Sequence, residues 1–170
     1  MSQQHLRFAL FGNEYQTKKS VAVERTINYL RAHGAELYID RPYYEFLVRQ
    51  SDDEVWCSGV FDDYNFDVDF AISLGGDGTF LRAASRVGAK GIPVLGVNMG
   101  RLGFLSDVLP LEVEKALDEI FEGQYKLEEH TVIKVEAEGE PIEGNPYALN
   151  DIALLKRVDA SMITIRCRVN

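Results

Sequence analysis

The stretch that decides the fold is FAISLGGDGTFLRAA, residues 70–84. An apolar run stops at two glycines, an aspartate and a third glycine, and helix-forming residues then resume. A continuous apolar run is typical of a strand that is covered on both faces, as in a parallel sheet. A strand exit needs one glycine at most, so three glycines around Asp77 indicate that something bulky approaches the backbone there. The stretch predicts a strand, a ligand-facing loop and a helix.

The residues before this stretch predict further strand and helix units. HLRFALFGN (5–13) and AELYID (35–40) are short apolar runs that predict two buried strands. Between them, apolar residues recur at helical spacing and Gly34 follows as a helix-ending residue. Pro42 indicates a short helix through YYEFLVRQ, and the acidic residues after it predict a loop that includes Gly59.

The residues after the stretch continue the alternation. TFLRAASRVGAK predicts a helix that ends at Gly88, and GIPVLGV (91–97) predicts the next strand. Pro110 can open a further helix with one apolar face, and Gly123 stands just past its end. Alternating strands and helices predict a doubly wound, Rossmann-like α/β domain over residues 1–125.

The pattern changes after residue 125. HTVIKVEAEGE and NPYALNDIALLK predict strands with no helix between them, and SMITIRCRV (161–169) alternates strictly between apolar and polar residues. Strict alternation is typical of a half-exposed antiparallel strand. Residues 126–170 are therefore expected to be the first strands of a β-rich domain that is incomplete in this chain.

Composition excludes several classes of protein. The chain has 170 residues, 46% of them hydrophobic, with a formal net charge of −9 and a pI near 4.8. Nucleic acids and anionic membranes both favour basic surfaces, so neither is an expected partner. Cys57 and Cys167 form no CxxC pattern, and no apolar run approaches membrane-spanning length. With no signal peptide in MSQQHLRFALFG, we expect a cytoplasmic protein with reduced thiols.

The GGDGT loop (75–79) has the chemistry of a phosphoryl-transfer site. Gly75, Gly76 and Gly78 permit positive φ and close approach of a ligand, and the N–H groups of the following helix attract phosphate. Asp77 repels phosphate, so it must serve a hydroxyl group or a metal ion that carries the phosphate. A carboxylate beside a hydroxyl and a phosphoryl donor acts as a base or an orienting acceptor. The alternative is that Asp77 only caps the helix, which would not explain three glycines.

A second glycine loop is NMGRLGF, residues 98–104, directly after the strand GIPVLGV. One helix and one strand separate the two loops, so both should leave the carboxyl ends of strands in one parallel sheet, where ligands bind. Taken singly, Gly100 and Gly103 are equally explained as turn residues. Phe104 is either a core residue or an aromatic wall for a base.

Three polar residues remain. Asn150 and Asp151 interrupt the apolar run YALNDIALL, where polar groups are costly without partners. They either bond to backbone at a strand bend or reach a ligand, and we favour the ligand. Arg82 lies one turn into the helix after GGDGT, where it either meets a phosphate or is a solvated arginine on the helix face.

In order and spacing, GGDGT, N-x-G-x-L-G-F and an Asn-acid pair resemble the NAD kinases. GGDGT is shared with diacylglycerol and sphingosine kinases, and the second motif points to NAD kinase among these relatives. The resemblance implies phosphorylation of the 2′-hydroxyl of the adenosine ribose of NAD, giving NADP. The donor would be ATP or polyphosphate, with a divalent metal ion, Mg²⁺.

The resemblance also implies roles for individual residues. Asp77 would be the proton acceptor, Phe104 would lie near the adenine, and Asn150 with Asp151 would bind NAD. No residue is assigned as a metal ligand. The full set of expected substrate- or cofactor-binding residues is Gly75, Gly76, Gly78, Thr79, Arg82, Asn98, Phe104, Asn150 and Asp151.

The chain departs from the family pattern in two ways. Asp151 stands where a glutamate is more usual, one methylene shorter. Family segments Ala-Asp-Gly and Thr-Pro-Thr-Gly-Ser-Thr are missing, so this chain is expected to be an N-terminal portion that is inactive alone and prone to form a homo-oligomer. The alternative functions are a lipid kinase of the diacylglycerol or sphingosine type and a non-catalytic nucleotide-binding module.

Overall fold

The computed structural model describes residues 5–15, 21–51, 54–62, 64–100, 103–139, 142, 146–153 and 164–168. Strands and helices alternate along most of this length. In chain order they are β1 (Arg7–Gly12), α1 (Val21–Ala32), β2 (Glu36–Asp40), α2 (Arg41–Arg49), β3 (Gly59–Phe61), β4 (Phe70–Gly75), α3 (Asp77–Val87), β5 (Val94–Asn98), α4 (Val113–Phe121), β6 (Ile133–Lys134) and β7 (Tyr147–Ala148).

Five of these strands form one parallel sheet in the order β3-β2-β1-β4-β5. The chain winds outward from β1 to β3, then crosses back to β4 and winds to β5 on the other side. The order therefore reverses between β1 and β4, which pair from Phe8 with Phe70 to Gly12 with Leu74. In open α/β sheets, ligands bind beyond the carboxyl ends of the strands at such a reversal. The predicted doubly wound, Rossmann-like fold is confirmed.

Apolar side chains cover both faces of the sheet, and this explains the continuous apolar strands. In β1, Phe8 and Leu10 join a cluster with residues of α1, α2 and α4. Ala9 and Phe11 point the other way, into a cluster with residues of α3 and the 61–68 segment. Successive strand residues face opposite sides, so a strand buried on both sides has no place for polar alternation.

Most element predictions for residues 5–123 are confirmed, including the helix after Pro42 and the glycines at helix ends. Gly34, Gly88 and Gly123 have φ of 68°, 56° and 69°, a region that glycine enters without steric cost. The exception is β3, Gly59–Phe61, which lies where the sequence predicts a loop. It is a three-residue edge strand, and so short a run carries little periodic signal.

Among the described residues, the strands after residue 125 are shorter than expected, and residues 140, 145 and 154–156 of the predicted strands lie outside that set. β6 and β7 pair antiparallel over two residues each, so the predicted switch to antiparallel pairing is present at that scale. In SMITIRCRV, residues 161–163 and 169 lie outside the described residues, and 164–168 are exposed without strand structure. A strand needs a neighbour for its hydrogen bonds, and the described residues provide none for 164–168.

In the part of the chain that the structure describes, none of the helices has the length and apolar character that a membrane crossing needs. Cys57, half-buried, and Cys167, exposed, are both free thiols. Burial raises the pKa of the Cys57 thiol above its usual value.

Candidate functional site: two glycine loops and Asp77 at the carboxyl edge of the sheet

The two glycine loops leave adjacent strands side by side. Gly75, the last residue of β4, is the register partner of Asn98, the last residue of β5. The Met99 N–H donates to the Gly75 carbonyl oxygen at 3.1 Å, so the ladder extends one residue into the second loop. The predicted placement of both loops on one edge of the sheet is confirmed. This edge, next to the strand-order reversal, is the candidate site.

The GGDGT glycines do not use the conformation that the sequence predicts. Gly76 has φ of −94°, and neither Gly75 nor Gly78 is among the glycines with positive φ. The expectation of positive φ was therefore wrong. Gly75 is explained by packing, since a Cβ there would lie 2.6 Å from Thr79 Cβ. Gly76 and Gly78 are exposed, with nothing within 4 Å of a Cβ position, so they leave space beside the head of α3.

Asp77 bonds to the second loop and does not cap its own helix. The N-cap residue of α3 is Gly76, with no side-chain cap hydrogen bond, and Asp77 is the first helical residue. One Asp77 oxygen, Oδ2, accepts the Phe104 N–H at 3.0 Å, and the other, Oδ1, accepts the Leu105 N–H at 3.2 Å. The capping alternative is therefore wrong. The carboxylate joins the loop after β4 to the loop after β5 and stays half-exposed at the edge.

The two predicted site residues of the second loop differ in burial. Phe104 is 99% exposed, so the alternative that it is a core residue is wrong. Asn98 is only 3% exposed, and its Oδ1 accepts the Gly100 N–H at 3.0 Å. An Asn side chain that bonds its own backbone two residues on stabilises a turn. Asn98 shapes the loop, and Phe104 offers a free aromatic face beside Asp77.

Arg82 reaches back from α3 to the loop after β1. Nη1 donates to Glu14 Oε2 at 2.8 Å, and Nη2 donates to the Gly12 carbonyl oxygen. The side chains are 33% exposed for Arg82 and 18% for Glu14. The alternative of a solvated arginine on the helix face is therefore wrong. Arg82 therefore links α3 to the end of β1 and the loop after it, across the strand-order reversal.

A second arginine of α3 neutralises a buried carboxylate at the same edge. Asp40, the last residue of β2, is 2% exposed and accepts Arg86 Nη2 at 3.1 Å. Burial raises the pKa of Asp40 above its ordinary value, and attraction to Arg86 and Arg82 opposes that rise. The carboxyl edge therefore combines acids from three strand ends with two arginines of one helix.

Asn150 and Asp151 do not occupy the buried strand position that the sequence predicts. β7 ends at Ala148, and both residues are exposed in the bend after it. Asn150 Nδ2 donates to Asp151 Oδ1 at 3.2 Å, and no bond from either to the glycine loops occurs among the described residues. Two exposed polar residues pay no burial cost, so the argument from costly buried groups does not hold here. Their role toward a ligand stays a prediction.

The described residues do not form a protein metal site. No group of three or more His, Cys, Asp or Glu side chains among them could hold an ion. Both Asp77 oxygens already accept N–H bonds. The divalent metal implied by the family resemblance therefore has no dedicated set of ligands in this part of the chain.

Three features of the site were not found from the sequence. Glu14, the partner of Arg82, lies in the loop after β1 and belongs to no sequence motif. The backbone N–H of Leu105 carries no sequence signal. Gly103 did carry a signal, as the second glycine of NMGRLGF, but its function was not evident: a Cβ there would lie 2.5 Å from Asp77 Cγ.

A parallel sheet in this order, with a glycine loop, a carboxylate and a helix N-terminus at its reversal, defines a doubly wound α/β protein of the nucleotide-binding class. Comparison with protein families makes the class specific. The family model described as the ATP-NAD kinase N-terminal domain matches residues 8–125. The chain belongs to the ATP-NAD kinase family, and the family predicted from its motifs is confirmed.

Individual relatives agree with this assignment. The chain is 47% identical over 165 residues to an NAD kinase of Bacteroides fragilis and 36% identical over 164 residues to one of Porphyromonas gingivalis. These matches include 97% and 96% of this chain and 57% and 56% of the relatives, so the chain spans little more than half of their length. A crystal structure of a yeast NADH kinase complexed with NADH matches 72% of this chain and 38% of that one, with a TM-score of 0.59 and 20% identity. At that identity, the match supports the fold.

Proposed function

We propose that the whole protein containing this chain is an NAD kinase. It transfers a phosphoryl group from ATP or polyphosphate to the 2′-hydroxyl of the adenosine ribose of NAD, giving NADP. The observation that carries the proposal is the Asp77 carboxylate, held by two backbone N–H groups at the helix head where the two glycine loops meet. Membership of the ATP-NAD kinase family supports the choice of substrate.

In this proposal Asp77 accepts a hydrogen bond, and in the transition state a proton, from the 2′-hydroxyl. Phosphoryl transfer requires little covalent chemistry from the protein, and most of the acceleration comes from position and electrostatics. A carboxylate whose orientation is held by two N–H donors is suited to orienting a hydroxyl. Proton acceptors of this kind contribute about 10²–10⁴-fold to rate.

The other predicted contacts keep their places in the proposal. The open space at Gly76 and Gly78, beside Thr79 and the last residue of β4, would accept phosphate or ribose groups. Phe104, exposed beside Asp77, would contact the adenine. Asn98, in the loop after β5, and Arg82, on α3, would also contact the bound substrate or cofactor. Asn150 and Asp151 would bind NAD from the β7 side.

In this proposal, Mg²⁺ is bound together with the phosphates of the phosphoryl donor. Mg²⁺ is commonly bound through one or two carboxylates plus substrate phosphates and keeps several waters. In this proposal the cation arrives with the donor phosphates.

We also propose a division of the chain at residue 125, a cytoplasmic location and a homo-oligomeric whole protein. The division is supported by the change from parallel to antiparallel pairing after α4.

Free thiols at Cys57 and Cys167 agree with the proposed reducing compartment. A homo-oligomer would cover individual apolar side chains that are exposed among the described residues, such as Leu111 (81%) and Val21 (72%). Sedimentation of the whole protein tests the last point.

A substrate comparison on the whole protein tests the function. The protein is incubated with Mg²⁺ and ATP, or with polyphosphate, and with NAD, diacylglycerol or sphingosine as acceptor. We expect NADP, measured by an NADP-dependent dehydrogenase, and no phosphorylated lipid. Phosphorylation of a lipid but not of NAD would assign the GGDGT loop to the lipid kinases. Tight NAD or ATP binding in titration calorimetry with no turnover of any acceptor would make the protein a non-catalytic binding module.

A further inference from the structure

Gly103 faces the carboxylate of Asp77 at the point where a side chain would begin. A Cβ built on Gly103 would lie 2.5 Å from Asp77 Cγ and 2.7 Å from Oδ2. Real Cβ atoms essentially never lie within 3.0 Å of heavy atoms from other parts of the chain. The three nearest atoms to this position all belong to the Asp77 carboxyl group. The carboxyl group therefore occupies the volume that any other residue at 103 would use.

The conformation of Gly103 does not itself require glycine. Gly103 is not among the glycines with positive φ, so its backbone is one that other residues adopt. The turn explanation of this glycine, which the sequence left open, gives no reason for glycine here. Gly100 in the same loop also lacks positive φ, and nothing lies within 4 Å of its Cβ position. In the space open to a Cβ, the two glycines of one motif thus differ, because Asp77 fills that space only at Gly103.

The two residues after Gly103 bind the same carboxylate. The N–H groups of Phe104 and Leu105 donate to its two oxygens at 3.0 and 3.2 Å. We name the two N–H groups, with the space beside Gly103, the carboxylate seat. The seat sets both the distance and the rotation of the carboxyl group, because each oxygen has its own donor. Among the described residues, the Asp77 carboxylate accepts hydrogen bonds from Phe104 and Leu105 and not from its own helix, so these two bonds are the ones that orient it.

We propose that Gly103 is a positioning residue for Asp77, which it keeps in the carboxylate seat by the absence of a side chain. This inference rests on the proposed function where it concerns catalysis. A methyl group at 103 would force Asp77 into another rotamer or push the loop away, and either change moves the oxygens away from the reacting hydroxyl. Displacements of about 1 Å in a phosphoryl-transfer site can cost roughly 10²-fold in rate.

Thermal unfolding of the whole protein tests the packing part of the inference without any activity. The variants are Gly103→Ala, Asp77→Ala and the double variant, with Gly100→Ala as the matched control. We expect Gly103→Ala to lower Tm by about 2–4 °C or more in the wild-type background, as over-packing does. In the Asp77→Ala background the same change should lower Tm by less than about 1 °C, because the carboxyl group is gone. Gly100→Ala should also lower Tm by less than about 1 °C.

These measurements distinguish two explanations of a lower Tm in Gly103→Ala: a clash with the Asp77 carboxyl group, and a general requirement for glycine in this loop. Equal losses of Tm with and without the Asp77 side chain would overturn the inference. If Gly103→Ala does not fold, recovery of folding in the double variant would support it, and failure of both would overturn it. These readings stand even if the protein proves not to phosphorylate NAD, so a failure here differs from a failure of the proposed function.

Steady-state kinetics test the positioning part. We expect Gly103→Ala to lower kcat on the order of 10²-fold while KM for NAD changes by less than about threefold. In the Asp77→Ala background, Gly103→Ala should have little further effect on kcat, because the group it positions is absent. A rise in KM with unchanged kcat, or an equal loss of kcat in both backgrounds, would show that Gly103 does not act through Asp77.

Discussion

Arg82 of α3 donates from Nη1 to Glu14 Oε2 at 2.8 Å, across the two central strands of the sheet. Glu14 lies in the loop after β1, and α3 begins directly after β4, so this pair spans the strand-order reversal. The second Arg82 bond, to the Gly12 carbonyl oxygen, holds the same loop through its backbone. The guanidinium therefore has a structural function in addition to any contact with substrate.

Replacement of Arg82 by Gln should destabilise the unliganded whole protein. Hydrogen bonds to charged groups contribute about 1.5–3 kcal/mol, and partial exposure reduces this to roughly 1–2 kcal/mol for Arg82. Urea unfolding measures the loss, with the exposed Arg31→Gln of α1 as the control that should stay within about 0.5 kcal/mol of wild type. Because Glu14→Ala removes the bond to Arg82 from the other side, the loss in the double variant should be smaller than the sum of the two single losses.

A different result would assign Arg82 to substrate binding instead of to the stability of the fold. If Arg82→Gln weakens NAD binding and leaves the unfolding of the unliganded protein unchanged, the bonds to Glu14 and Gly12 contribute nothing measurable. The arginine would then serve the ligand alone.

Asp77→Asn should lower kcat of the whole protein far more than it raises KM for NAD. The change is nearly isosteric and removes the proton acceptor, whose contribution is typically about 10²–10⁴-fold. Asn also has one acceptor oxygen for the two N–H donors of Phe104 and Leu105, so it fits the carboxylate seat less well. NADP formation at saturating ATP measures the effect, and circular dichroism checks the fold. A variant with near wild-type kcat would exclude Asp77 from the chemistry.

The sheet was predictable from the sequence because its central strands are buried on both faces. β1 and β4 have continuous apolar runs, and glycines mark the ends of α1, α3 and α4. β3 could not be predicted, since a three-residue edge strand exists only through its pairing with β2. The short ladder of β6 and β7 shows the opposite error, because the sequence predicts more strand than the described residues after 125 contain.

For the site, the sequence indicated which residues matter but not how they contact one another. GGDGT and NMGRLGF were identified, and their meeting on one edge followed from the alternation of strands and helices. The bond from Phe104 to Asp77 spans 27 positions, and its donor is a backbone group that no motif letter reveals. For Gly103 the turn explanation stayed open, because a sequence shows the absence of a side chain and not what fills the space.

Asn150→Ala should weaken NAD binding and leave stability unchanged. Asn150 is exposed, so its truncation should alter the free energy of unfolding by less than about 0.5 kcal/mol. A lost hydrogen bond to NAD would cost about 0.5–1.5 kcal/mol of binding free energy. Titration calorimetry of the whole protein with NAD measures the change, and the exposed Glu129→Ala serves as the control. Unchanged affinity would remove Asn150 from the binding site.

Glu114 and Arg25 should make stability depend on pH in the acid range. Glu114 of α4 accepts two bonds from Arg25 of α1, from Nε at 3.0 Å and from Nη2 at 2.7 Å. These bonds hold the pKa of Glu114 below its ordinary value, against the opposing effect of burial. A carboxyl group with a lowered pKa in the folded state stabilises the protein above its unfolded pKa, near 4.3. That contribution is lost as the pH falls through the pKa that Glu114 has in the folded protein.

Glu114→Gln should therefore be less stable than wild type at pH 7, and the difference in stability should shrink below about pH 4. Urea unfolding at pH 7, 5 and 3 measures it, with Arg25→Gln as the partner variant that should show the same trend. A difference between wild type and Glu114→Gln that stays constant from pH 7 to pH 3 would mean that the pair between α1 and α4 does not stabilise the fold through the ionised carboxylate.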